Sequence, residues 1–142
     1  ASLERPVKLM IALEMIGYYD SAPGSQNYPY PAMSWLYPDR GDFIAVVGRM
    51  QDINAVRQVK AALLSSRDLS VYSMNAPGFI PGIDFSDHLN YWQHDIPAVM
   101  ITDTAFYRNK QYHLPGDIAD RLNYQKMAQV VDGVTTLLYN SK

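Results

Sequence analysis

The chain has 142 residues, the length of one domain or of one piece of a larger one. Lys plus Arg is 12 and Asp plus Glu is 14, so the net charge is −2, which argues against nucleic acid or an anionic membrane surface as the main partner. There is no cysteine, so disulfides, thiolate nucleophiles and Cys-ligated zinc are excluded for this chain.

No apolar run approaches the ~20 residues of a membrane span. The compartment stays open, secreted and periplasmic locations included. Val7 to Tyr18 (VKLMIALEMIGY) is a nearly continuous apolar run. It reads as a buried strand flanked by helices on both faces, although its Leu, Met, Ala and Glu would also suit a helix. Asp20 to Gly41 reads as a long loop holding Pro23, Pro29, Pro31 and Pro38 together with Tyr28, Tyr30 and Tyr37. Structureless loops of this length are usually functional or disordered, and the aromatics point to packing.

Asp42 to Val47 is the second predicted strand. A helix follows over Asp52 to Ser66, with Ile53, Val56, Val59, Ala62 and Leu63 on one face and Asp52 as its N-cap. Leu69 to Met74 is a third strand and Ala76 to Asp84 a loop. Ser86 can cap a short helix, Asp87 to Gln93, before a fourth strand at Pro97 to Thr102. Asp103 to Asp120 is mostly loop. The closing helix runs from Tyr124 to Leu138, with Met127, Val130, Val131, Val134, Leu137 and Leu138 on one stripe and Asn123 as cap. Strands alternating with helices predict an α/β layer architecture with a mixed or mostly parallel sheet.

Few residues stand out chemically. Glu14 is a carboxylate in an apolar run. It is either a metal ligand, because a buried charge is costly unless paired or metal-bound, or a strand-end residue meeting water. His113 lies in a loop ahead of Asp117. It is either a metal-binding imidazole oriented by a carboxylate or a surface histidine. Tyr112 offers a phenol that could stabilise an oxyanion or simply pack. Asp87 and His88 open the short helix, where capping explains them equally well. No phosphate-binding loop, dinucleotide fingerprint, nucleophile elbow or HExxH motif is present.

Four segments nonetheless resemble one family in the right order. LEMIGYYD (Leu13–Asp20), FSDHLNYWQHDIPAVMITDT (Phe85–Thr104), AFYRNKQYHLPGD (Ala105–Asp117) and LNYQKMAQVVDGV (Leu122–Val134) resemble motifs of the zinc-dependent M28 peptidases. The resemblance covers nearly the whole chain. It implies a phosphorylase/hydrolase-like fold and a two-zinc site acting on a peptide substrate. Glu14 then corresponds to an acidic ligand of one metal, His113 to the histidine ligand of the other, and Tyr112 to a tyrosine that polarises the scissile carbonyl. Asp87 and His88 fall in a segment near the active-site floor, and Asp117, with Ile118, replaces the usual Asp-Thr. Leu114 replaces the usual Thr after the histidine.

The family's upstream His-x-Asp segment, bridging Asp and Glu-Glu pair, which includes the general base, have no counterpart in residues 1–12. The resemblance therefore implies that residues 1–142 are the C-terminal portion of one peptidase domain, holding two of five ligands and inactive alone. The expected partner is the N-terminal half or a second copy of the chain, because unpaired strand edges invite association. Two alternatives stay open. One is a carboxypeptidase, deacylase or glutaminyl cyclase on the same fold, and the other is a metal-free α/β binding domain.

Overall fold

The computed structural model describes residues 6–140. Four strands, β1 (Met10–Leu13), β2 (Ile44–Gly48), β3 (Val71–Asn75) and β4 (Ala98–Thr102), accompany three α-helices, α1 (Ile53–Leu63), α2 (His88–Trp92) and α3 (Tyr124–Asn140). The strands form one sheet in the order β1-β4-β2-β3. β1 runs parallel to β4 and β2 parallel to β3, while β2 and β4 meet antiparallel. The sheet is mixed, within the α/β architecture expected from the alternation of elements.

The inner strands explain the apolar runs. Every residue of β2 and of β4 is buried, as expected when both faces are covered. Alternation along the strands sends Ile44, Val46, Val99 and Ile101 to one face, where they meet Val56, Val59 and Leu63 of α1 and Val130 and Leu137 of α3. Ala45, Val47, Ala98 and Met100 face the other way, towards Ile83 and Trp92. Burying such a side chain contributes about 1.5–3 kcal/mol, so the first cluster anchors the two long helices. Their approach requires a glycine: a Cβ at Gly133 would lie 2.8 Å from the Leu63 Cα. Asn123 caps α3 as predicted, its Oδ1 accepting the Lys126 amide at 3.0 Å.

Four expectations need correction. The run from Val7 to Tyr18 yields only the short β1, and this strand is not covered on all sides. It lies at the sheet edge with β4 as its neighbour, and its Leu13 is 46% exposed. Asp52 precedes α1 but does not cap it; its carboxylate accepts two bonds from the Arg49 guanidinium instead, at 2.8 and 3.3 Å. Ser86 likewise makes no cap on α2, and its hydroxyl points to the Glu14 carboxylate, 3.5 Å away. In α3 the buried line is Val130, Gly133 and Leu137, while Val131 and Leu138 are exposed. The helix packs along one side only, so residues 100° further round leave the interface.

The long loop is folded back rather than loose. A bridge joins Asp20 to Gly41, and a 3-10 turn covers Pro31–Trp35. The Tyr28 hydroxyl donates to the Pro38 carbonyl at 2.6 Å, and that of Tyr37 to Ser73 on β3 at 3.2 Å.

Candidate functional site

Because β1 and β4 are parallel neighbours, their C-terminal ends open at the same edge of the sheet, where ligand sites collect in α/β folds. Glu14 is the first residue beyond β1. Its amide still donates to Ile101 at 2.9 Å, but its carboxylate is exposed. Of the two sequence readings, the strand-end one describes its environment: the charge meets water and incurs little desolvation.

The chain leaving β4 carries the other candidates. Tyr112 and the exposed His113 follow one another in the loop, and their rings stack with centroids 3.9 Å apart and planes 16° from parallel. His113 adopts φ +58°, the left-handed region in which histidine is enriched among non-glycine residues. Asp117 shapes this turn. One of its oxygens accepts the Asn109 side-chain amide at 2.8 Å, and the other the backbone amide of His113 at 3.4 Å. Its role is therefore on the backbone of His113, not on the imidazole.

Glu14 and Tyr112 both border an open groove with about 900 Å³ of empty space, part of it continuous with solvent. Its floor is the second face of the sheet, with Ala45, Val47 and Met100. Tyr28, Met33 and Tyr37 from the long loop form one wall, Ile80–Ile83 another, and Phe85 and Phe106 sit nearby. The lining is mostly apolar with a few polar groups, the usual composition of a small-molecule site. Burial raises the Tyr28 phenol to about 12 and also raises Tyr37, so both stay neutral hydrogen-bond donors at physiological pH.

Asp87 and His88 are not brought into this groove. Asp87 is exposed at the start of α2. His88 is fully buried, with Nε2 2.6 Å from the Ile83 carbonyl and its ring edge-on to Trp92 at 4.4 Å. Burial lowers its pKa. It supports the groove wall from behind, through Ile83, where the sequence suggested a position near the active-site floor.

Two buried charged residues escaped the sequence reading, Asp103 and Arg108. Arg108 donates to Gln26 Oε1 at 2.9 Å and, through Nη1, to the carbonyls of Tyr18 and Phe43 at 3.0 Å each. It also lies over the Phe43 ring at 4.6 Å. It thus ties the long loop, the β1 exit and the start of β2 to the segment after β4. The only sequence signal was a charge placed in an otherwise aromatic stretch, AFYRN.

Among the described residues, no three His, Cys, Asp or Glu side chains come together as a metal site. Glu14 and His113 are an oxygen and a nitrogen donor of the kinds zinc takes. Both are exposed, and Tyr112 touches the groove on one side and the imidazole on the other. This donor set fits part of a zinc centre, which needs three or more protein ligands.

No family model matches the sequence. The chain is 96% identical over all of its 142 residues to the uncharacterized protein YfbL of Escherichia coli (strain K12), and it spans 44% of that protein's length. Among solved structures it resembles Legionella pneumophila LapA, with a TM-score of 0.64 and 21% identity over 93% of this chain and 31% of that one. A second structure, of the LapA aminopeptidase, gives 0.63 and 21% over 93% of this chain and 30% of that one. LapB from the same organism gives 0.66 and 17% over 94% and 31%. No described helix is long and apolar enough to cross a membrane. At these identities the likeness establishes the fold: this chain has the α/β architecture of roughly a third of an aminopeptidase chain.

Proposed function

We propose that this chain is the C-terminal portion of a zinc-dependent exopeptidase domain of the aminopeptidase type, of the M28 family, which becomes active with the rest of its polypeptide. The observation that carries this reading is the convergence of Glu14, Tyr112 and His113. Glu14 lies at the exit of β1 and Tyr112 in the loop that leaves the parallel neighbour β4, about 100 residues further on, yet both line one apolar groove, and His113 stacks on Tyr112. The LapA aminopeptidase fold and the 44% share of a longer relative support the same reading.

In this reading Glu14 and His113 would each contribute a ligand to one zinc ion, and the metals, when bound, would supply Lewis-acid polarisation and an activated water. Tyr112 donates its phenolic proton to the oxyanion that develops on the scissile carbonyl, a contribution of about 3–4 kcal/mol. The groove receives the apolar side chain of the peptide's terminal residue. Asp117 holds the backbone of His113 in its turn. The remaining ligands and the general base come from the N-terminal part of the domain, which also pairs with the open edge of β1 and covers Leu13. A carboxypeptidase, deacylase or cyclase would use the same ligands with a different pocket.

The test is zinc analysis and a peptidase assay on the polypeptide extended to the length of its Escherichia coli relative. Two zinc ions per chain and release of N-terminal residues are expected, with metal lost in Glu14→Ala and His113→Ala. A second reading, a metal-free binding domain, draws on the lack of a third donor among the described residues. A full-length protein without zinc and without peptidase activity would refute the peptidase reading and leave this one to be tested by partner binding.

A further inference from the structure

We propose that Asp103 is a positioning residue that fixes the Glu14 strand end against the loop carrying Tyr112 and His113; the inference rests on the reading of those three residues as the site. Asp103 follows β4 directly and is 1% exposed. Its Oδ2 accepts the amides of Gly17 and Tyr18 at 3.0 and 2.8 Å, and its Oδ1 accepts that of Ala105 at 3.0 Å. Its own amide donates to the Met15 carbonyl at 2.6 Å. One side chain therefore joins the exit of β1, three residues past Glu14, to the exit of β4.

From Ala105 the linkage continues to the candidate residues. The Ala105 carbonyl accepts the Asn109 amide at 2.8 Å, and the Asn109 carbonyl accepts that of Tyr112 at 3.1 Å. The Asn109 side chain then bonds Asp117, which holds His113.

Two features distinguish this clamp from ordinary packing. All its side-chain hydrogen bonds among the described residues come from backbone amides, so oriented dipoles, together with the nearby buried Arg108 guanidinium, compensate its buried charge, and charge-assisted bonds of this kind are about twice as strong as neutral ones. The clamp also holds a strained segment: Thr104 and Ala105 sit at φ +71° and +47°. Neither is glycine, and such conformations persist only where surrounding bonds impose them, often beside functional sites. A hydrophobic residue at position 103 would keep the backbone bond to Met15 but leave the Gly17, Tyr18 and Ala105 amides without this acceptor.

The experiment uses the polypeptide at the length of its Escherichia coli relative, as wild type, Asp103→Asn and Ala105→Gly. The asparagine keeps the volume but sets an NH2 group against amide donors. The glycine relieves the strain and keeps the clamp. In Asp103→Asn, hydrogen exchange is expected to rise at least tenfold at Gly17, Tyr18, Ala105, Asn109 and Tyr112, with Val46 and Val99 unchanged. Zinc affinity is expected to fall about tenfold, the lower end of what losing a direct outer-shell partner costs, because Asp103 acts on the ligands through the backbone. Ala105→Gly should retain wild-type affinity.

Faster exchange confined to the three clamped amides, or spread evenly over β2 and β4, would overturn the proposal. So would unchanged zinc affinity in Asp103→Asn. If Asp103→Asn does not fold, native-state exchange of the wild type decides: the five amides must open together with a common denaturant dependence, and independent openings refute the clamp. A wild type without zinc or peptidase activity would sink the functional reading, while the exchange pattern would still decide the role of Asp103.

Discussion

Replacing Gly133 with alanine should destabilise the fold, against the usual benefit of removing a glycine from a helix. The benefit is about 1 kcal/mol. The new Cβ would lie 2.8 Å from the Leu63 Cα and 2.8 Å from its Cδ2, with the Ala62 carbonyl at 3.3 Å. A Cα cannot swing aside as a side-chain tip can, so α1 and α3 must separate by roughly 0.7–1 Å to reach ordinary carbon contact, a gap that forfeits a quarter to a half of each dispersion well. Overpacking typically costs 1–3 kcal/mol, and a rigid backbone neighbour puts this site near 2–3 kcal/mol. The net loss is therefore about 1–2 kcal/mol, a fall in Tm of roughly 3–8 °C. Urea unfolding and a thermal scan of Gly133→Ala measure it. Thr135→Ala, at an exposed position of the same helix, serves as control and should stabilise by up to about 0.7 kcal/mol. A Gly133→Ala protein as stable as wild type would refute the close-approach argument.

Three further outcomes follow from the site and its surroundings. Tyr28 titrates near 12 in the fold and near 10 unfolded; its contribution is intact below pH 10 and lost as pH rises from 10 through 12, so Tyr28→Phe should flatten the alkaline loss of stability followed by tyrosinate absorbance and circular dichroism. A single midpoint near pH 10 for every tyrosine of the native protein would contradict this. His88 has its pKa lowered by burial, so its contribution is present above about 6.5 and lost as pH falls below that value; His88→Gln should show a shallower acid slope between pH 7 and 5 in urea titrations, and an unchanged slope counts against it. If the proposed peptidase reading holds, Ala45→Phe on the groove floor, made in the polypeptide at the length of its Escherichia coli relative, should raise KM at least tenfold for substrates with a large apolar terminal residue while kcat changes little; equal KM values would mean that the groove does not take that side chain.

Much of the framework was legible locally. The runs FIAVV and PAVMI are apolar throughout, as strands covered on both faces tend to be, so β2 and β4 could be read directly. The periodicity of Val56, Val59 and Leu63 identified α1, and Asn123 marked the start of α3. Glu14, Tyr112 and His113 were also singled out, partly as chemistry out of place and partly through a resemblance of motifs. Asp103 was not, because a lone carboxylate after a strand is indistinguishable in sequence from a solvated loop residue. Arg108 was missed for the same reason, and for Asp87 and His88 the segment was legible but not which way each side chain faces, because helix-opening residues carry no sign of it.

Sequence by itself determined the elements and the chemical types available, because periodicity, turn residues and capping act within a few residues of each other. Tertiary structure alone decided that β2 runs antiparallel to β4 and that β1 lies at the edge. It also decided that residues 14 and 112 share a groove and that a carboxylate at 103 clamps the exits of two strands. These features depend on which distant segments pack together, and burial, strand pairing and buried hydrogen bonds take their values only once that packing exists.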